Sequence, residues 1–337
     1  MHLWLRAEED GQDGRTPLTP PGAASLVLAG LRVTVERSAH RCIGLDDYIA
    51  VGCDVAAQGS WSNAPPDAVI LGINPMGDVP HALHHKHITA LSAETPEAIL
   101  DRARLGGGEV LNLGLAQSVE GQPLDSCKYW TGFVGMALTL SAWAAQVQNQ
   151  NAPVVKPWDD RLDLLTDTRK ALIGARSLVP SVLILGSSSR AGSGAAALCS
   201  AVSVSWVPWE LPTRRAVDTN PALHAYPILV LAERLGAPSP DGPANLADQL
   251  VKVSPRQVRM VADTSIDVRP AHGVPLAPVH RMEAFPPLTV FGIGSLSSLL
   301  PHAASEDVSE QLAPALIALA NGDMRPWQAA MPIEMRL

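Results

Sequence analysis

The run Gly186-Ser187-Ser188-Ser189-Arg190-Ala191-Gly192-Ser193-Gly194 stands between a β-branched apolar stretch, Ser181 to Leu185, and a helix expected over Ala195 to Val202. A strand that passes through small residues into a helix offers unpaired backbone N–H groups at the helix start, and small side chains let a phosphate approach. The chemistry this suits is pyrophosphate binding. The spacing departs from Gly-x-Gly-x-x-Gly, so the residues alone read equally as a dinucleotide loop or as a structural βα turn. The following strand leads to Glu210, the only nearby acid that suits ribose hydroxyls. Arg214 and Arg215 read as solvated loop charges, with a 2′-phosphate as the alternative. A second cluster, His81, His84, His85 and His87, has the residue type of metal ligands, but its spacing is dense and it lacks a cysteine or paired glutamate. It reads as a partly solvated loop, and no metal is expected. Hydrolase, zinc-protease and Walker-type motifs do not occur, and the serine loop has no neighbouring base to make a nucleophile.

Strands expected at His2 to Arg6, Leu31 to Glu36, Ala68 to Ile73 and Glu109 to Leu113 alternate with helices at Pro20 to Gly30 and Pro96 to Leu105. A turn is expected at Asn74-Pro75-Met76-Gly77. A long helix, Thr131 to Gln148, leads to a second set: a helix at Leu162 to Ala175, then strands at Ser181 to Leu185, Ser203 to Val207, Pro227 to Leu231, Val258 to Ala262 and Leu288 to Gly292. Gly236 to Pro243 reads as a loop and Glu306 to Ala320 as a closing helix. Such alternation predicts an α/β fold with parallel sheets in two Rossmann-like domains.

The 337 residues suit about two domains. A hydrophobic share of 47% with 17% charged residues fits a soluble globular chain. Net charge is −8, and no basic run interleaves with aromatics, so nucleic acid is not an expected partner. Cys42, Cys53, Cys127 and Cys199 are widely spaced, which predicts reduced thiols and a cytoplasmic setting. The opening MHLWLRAEEDGQDGR has no apolar core of a signal peptide, and the uncharged run Tyr129 to Val155 is interrupted by amides, so no membrane span is expected.

Leu5-Arg6-Ala7-Glu8, Arg15-x-x-Leu18-Thr19-Pro20, Val33-x-Val35-Glu36-Arg37-Ser38, Val51-Gly52-Cys53 and Gly59-Ser60-Trp61 occur in an order that resembles lysine-forming saccharopine dehydrogenases. His85-x-His87-Ile88, Tyr129-Trp130-x-Gly132, the Gly186 to Gly194 loop, Asp263-x-Ser265-x-Asp267 and Leu296-x-Ser298-Leu299-Leu300-Pro301 continue the likeness nearly end to end. The resemblance implies an alanine dehydrogenase-like fold with a cleft between domains: residues 1–130 plus 300–337 as the substrate domain and 131–299 as the dinucleotide domain. It implies an NAD or NADP cofactor met by Gly186, Ser187, Ser188, Ser189, Arg190, Gly192, Thr264, Ile293, Gly294, Ser295 and Leu296. Arg15, His85 and His87 would contact an amino-acid substrate.

The family's acid–base lysine is replaced by Asn74 and its histidine by Ser92. Pro75, Gly114, Gln122 and Pro123 stand where the resemblance places further charged groups, and Val207 where it places the cofactor-side aspartate. Asn and Ser do not titrate near neutrality, and general acid–base catalysis is worth roughly 10²–10⁴-fold, so ordinary saccharopine turnover should be crippled. Three functions follow from these losses. The first is an oxidoreductase on the C–N bond of a lysine-derived, opine-like secondary amine or hydrazine, in specialised metabolism. The second is a degenerate relative that binds a partner or senses a metabolite, and the third a cofactor-independent C–N lyase. A homodimer or a pathway-enzyme partner stays open.

Overall fold

The computed structural model describes residues 1–78, 80–91, 96–124, 127–175, 180–210, 226–232, 257–264, 266, 271–282 and 287–331. Ser92, Arg214, Arg215, Ser265, Asp267 and the loop Gly236 to Pro243 lie outside them. The chain divides into two compact units, Met1–Cys127 with Pro301–Leu337, and Lys128–Leu300.

The first unit is built on a six-stranded sheet: β1 (His2–Leu5), β2 (Arg32–Glu36), β3 (Asp54–Ala56), β4 (Ala68–Leu71), β5 (Lys86–Thr89) and β6 (Glu109–Asn112), in the order β3-β2-β1-β4-β5-β6. Every pairing is parallel. A parallel sheet is covered on both faces, which is why β1 and β4 are buried at every position. Trp4, Trp61, Ile70, Leu83, Ile99 and Val110 form the core on one side. Helices α1 (Pro20–Leu28), α2 (Leu45–Ala50) and α3 (Pro96–Gly106) cover the sheet together with the helix Pro301–Ala320. That last helix begins five residues before the expected Glu306, because Pro301 suits a first helical turn. Its Ser305 and Ser309, one turn apart, accept the backbone N–H groups of Thr16 and Thr19 at 2.9 Å each. The C-terminal segment thereby fixes the stretch that carries Arg15.

The histidine cluster is not one loop. β5 pairs Ile70 with His87, so His87 sits inside the sheet. Lys86, ion-paired with Glu109 at 2.9 Å, masked a strand too short to show its period in sequence.

The second unit holds β7 (Ser181–Leu185), β8 (Ser205–Trp209), β9 (Ile228–Leu231), β10 (Met260–Asp263), β11 (His280–Met282) and β12 (Leu288–Gly292), ordered β11-β12-β10-β9-β7-β8. Only β11 runs antiparallel among the described pairs. β8 is an edge strand, where Pro208 costs no ladder bond. The core is aliphatic, with Leu183, Leu185, Leu229, Val261, Leu288 and Val290. Helices α4 (Lys128–Val147), α5 (Arg161–Gly174) and α6 (Arg190–Ala201) complete it. α4 and α6 approach so closely that a Cβ at Gly132 would run into the Ala191 backbone, and one at Gly194 into that of Tyr129. No helix among the described residues is long and apolar enough to cross a membrane.

Candidate functional site

At the end of β4 the chain turns through Asn74-Pro75-Met76-Gly77, and a buried polar network holds this turn. Glu8 accepts the N–H of Ile73 at 2.7 Å and of Asn74 at 3.1 Å. The Thr89 hydroxyl donates to the Asn74 carbonyl at 2.6 Å, and the Arg6 guanidinium donates to the same oxygen. Arg6 and Glu8, both buried, are themselves paired at 3.5 Å. Three residues, Arg6 and Glu8 beyond β1 and Thr89 at the end of β5, thus fix the Asn74 backbone, which leaves its side chain a defined direction.

That side chain points to Asp13: Asn74 Nδ2 donates to Asp13 Oδ2 at 3.0 Å. Asp13 also takes Arg15 in a fork, Nε to Oδ1 at 2.9 Å and Nη2 to Oδ2 at 2.6 Å. Both are nearly buried, at 5% and 11% side-chain exposure. Burial pushes the Asp13 carboxyl up, but the Arg15 charge and the hydrogen bonds from Arg15 and Asn74 outweigh it and lower its pKa to about 2. Burial likewise opposes the Arg15 charge, and Asp13 more than offsets that, so its pKa is raised. Arg6, Glu8, Ser38 and Arg41 line the same hollow. On the same turn, a cavity of about 360 Å³ opens between Ala7, Glu9, Trp61, Gly77 and Asp78.

Of the two histidines expected at the substrate, His85 is buried with Nε2 against the Ala64 carbonyl at 3.1 Å. His87 is 1% exposed, and neither ring nitrogen has a hydrogen-bond partner among the described residues. It packs edge-on against Trp61 at 5.4 Å. Burial, then His85, Arg6 and Arg102, lowers its pKa to about 3. Among the described residues no three His, Cys, Asp or Glu side chains group to hold a metal. Sequence reasoning missed Asp13 and also Glu36. The Glu36 carboxylate, fully buried, accepts from Trp4 Nε1 and from the N–H groups of Ala7, Gly59 and Trp61 at 2.6–3.1 Å.

In the second unit the expected cofactor residues gather at the C-terminal edge of one sheet, where open α/β sheets bind ligands. Gly186 to Gly192 follows β7, Thr264 follows β10 and Ile293 to Leu296 follows β12. Gly186 has φ +75°, the tight turn this loop needs. At Gly192 a Cβ would strike the Gly186 carbonyl, so the helix start packs directly on the loop. α6 begins at Arg190, five residues before the expected Ala195, because Ser189 caps it. The Ser189 hydroxyl accepts Gly192 N–H at 3.0 Å and donates to the Ala232 carbonyl at 3.1 Å. Its side chain is therefore turned into the fold and committed there, not lying over the loop to bond a phosphate.

The acid of the second strand is also relocated. Val207 pairs with Leu183, well short of the loop, whereas Trp209 pairs with Leu185 and accepts Gly186 N–H at 2.8 Å. Glu210, next in the chain, accepts from Ser187 Oγ at 2.6 Å, Ser188 N at 2.8 Å and Ser188 Oγ at 3.1 Å. The acid that meets the loop is thus Glu210. The tight turn, the close helix packing and a carboxylate at the loop together fit a dinucleotide.

The sequence profile of the family "Alanine dehydrogenase/PNT, N-terminal domain" matches residues 4–134. The saccharopine dehydrogenase [NAD(+), L-lysine-forming] of Schizosaccharomyces pombe is 30% identical to this chain over 98% of it and 96% of the relative. The chain belongs to the lysine-forming saccharopine dehydrogenase family. The enzyme of the same name from Neurospora crassa is 29% identical over 97% of this chain and 94% of its own. Among solved structures, an L-alanine dehydrogenase superposes with TM-score 0.63 at 17% identity, covering 99% of this chain and 95% of its own. A transhydrogenase from Sinorhizobium meliloti gives 0.63 at 15%, covering 98% and 96%. These two show the shared fold.

Proposed function

We propose that the protein is an NAD(P)-dependent oxidoreductase acting on the C–N bond of a lysine-derived, opine-like secondary amine or hydrazine amino acid, in the cytoplasm and in specialised metabolism. On this reading the unit Met1–Cys127 with Pro301–Leu337 takes the substrate, and Lys128–Leu300 takes the dinucleotide. The observation that carries it is Asn74. It stands at the family's acid–base position, is held by Glu8, Arg6 and Thr89, and faces the Asp13 carboxylate with an amide that does not titrate. A site that keeps its polar frame while losing its titrating side chain favours a substrate nitrogen of low basicity, as in a hydrazine, which needs less proton management.

Each residue then has a physical task. Arg15, oriented by the Asp13 fork, meets a substrate carboxylate. The cavity beside Trp61 and Gly77 supplies room. Thr264, Ile293, Gly294, Ser295 and Leu296, with the Gly186 to Gly192 loop, position the dinucleotide. Hydride acceptance or return is the chemistry a nicotinamide supplies there, and it depends on placement more than on proton transfer.

The test is to mix the protein with NAD or NADP and a panel of lysine-derived secondary amines, hydrazines and opines, and to follow nicotinamide absorbance. Reduction with a hydrazine or opine, faster than with saccharopine, is expected. No redox change with any of them would overturn the reading. The commitment of Arg15 to Asp13 favours a second reading in that event: a partner-binding or metabolite-sensing relative.

A further inference from the structure

The cavity of about 360 Å³ in the first unit is not lined by Arg15, Asn74, His85 or His87. Its walls share one polarity. Ala7, Gly59 and Trp61 line it, and each gives its backbone N–H to the fully buried Glu36 carboxylate behind them, at 2.6–3.0 Å. The N–H of Gly77, also in the lining, goes to Glu9 Oε2 at 3.0 Å. Four backbone donors of the lining are thus spent on two carboxylates. No lysine, arginine or histidine lines the cavity, whereas the carboxylates of Glu9 and Asp78 do, and Trp61 adds an indole. We propose that this cavity is a subsite for an alkylammonium group, taking the free amino end of a ligand and refusing a carboxylate. The subsite rests on the reading above of Met1–Cys127 with Pro301–Leu337 as the substrate unit, and goes beyond it by assigning the charge of the group accepted and the residues that choose it.

The chemistry is a match of donors to acceptors. A primary ammonium carries three N–H donors and no acceptor, so it needs acceptors on several sides. Glu9 and Asp78 supply carboxylate oxygens, and an ionised carboxylate has lone pairs enough to take a ligand N–H beside that of Gly77. An indole attracts a cation to its ring face. A ligand carboxylate meets the reverse. The backbone N–H groups that could have received it are already occupied, and two carboxylates repel it. Glu9 and Asp78 are exposed, so each ion pair contributes modestly and the selectivity is several-fold rather than absolute. Asn74, which faces the Asp13–Arg15 pair, and Gly77 are three residues apart, a span of at most about 11 Å. An amino acid whose carboxylate is met by Arg15 therefore has this cavity within reach of an ammonium group at its other end.

Calorimetric titration of the full-length protein with butylammonium, butanol and butyrate, at neutral pH and matched ionic strength, tests this. Butylammonium should bind at least about threefold more tightly than butanol, and butyrate more weakly than either. The preference should narrow as salt rises from about 0.05 to 0.5 M, because exposed charges are screened. Glu9→Gln with Asp78→Asn removes both charges at exposed positions and keeps an acceptor for the Gly77 N–H. The double variant should weaken butylammonium about three- to tenfold and leave butanol unchanged. Equal binding of the ammonium and the alcohol, tighter butyrate, unchanged butylammonium affinity in the double variant, or no binding of any of the three would each overturn the proposal. Amine oxidation measured on the same samples separates the two ideas. Ammonium selectivity without turnover of any lysine-derived amine overturns the reaction and leaves the subsite standing. Turnover without ammonium selectivity, with KM the same in the double variant, does the reverse.

Discussion

Asn74 donates its side-chain amide to the Asp13 carboxylate at 3.0 Å, and the same carboxylate oxygen receives Arg15 at 2.6 Å. A neutral side chain thus completes a buried ion pair.

Replacing that amide by an amine should restore a titrating group. In Asn74→Lys, saccharopine oxidation is expected to rise on the order of tenfold or more over the wild type, part of the full acid–base contribution. Steady-state rates across pH check this, since the gain should carry a new pH dependence that Asn74→Gln does not show.

Asp13→Ala removes the carboxylate that forks the buried Arg15 guanidinium. A loss of about 3–5 kcal/mol in unfolding free energy is expected by denaturant titration. The wild type adds a pH signature. Asp13 has a folded pKa of about 2, below its unfolded value of about 3.9, so its contribution is complete above about pH 4 and is lost as pH falls through about 2.

His87 carries the opposite functional group but the same sign. Its folded pKa of about 3 lies below the unfolded value of about 6.5. The native state refuses a proton that the unfolded chain takes up, so the stability present above pH 6.5 falls by about 1.4 kcal/mol per pH unit below it until about pH 3. His87→Phe, which keeps a ring against Trp61 and removes two unpartnered nitrogens, should flatten this dependence. Thermal unfolding of both proteins between about pH 7 and pH 5 decides it, and parallel slopes would sink the idea.

Glu36→Gln puts an NH₂ group among four donors that all point at one carboxylate. At least one contact becomes donor against donor, and about 2–3 kcal/mol of stability should go. Tryptophan fluorescence should report the change, because Trp4 and Trp61 both belong to the network.

Much of the frame was legible in the residues. Period and punctuation placed β1, β2, β4, β6, β7, β9 and β12 and the long α4, because a buried parallel strand is a continuous apolar run bounded by turn residues. The order of short motifs carried the family, since many weak matches in sequence are jointly specific. Strands that carry charges or proline were lost: β3, β5 and β11 were not expected, and β8 was set two residues early. The helix starts at Arg190 and Pro301 were each placed five residues late, because a serine cap and a leading proline were taken as loop.

The sequence by itself determined the family and the alternation of strand and helix in both halves, and left Asn74 and Ser92 in place of titrating groups as an expectation of the resemblance. Tertiary structure alone decided who meets whom. Asp13 finds Asn74 across 61 positions, and Ser187 finds Glu210 across 23. Strand register put Glu210 and not Val207 at the loop, and turned the Ser189 hydroxyl inward. Period and composition describe one element at a time. A hydrogen bond between two elements depends on pairing register and on the end of the strand from which each side chain emerges, and neither is encoded locally.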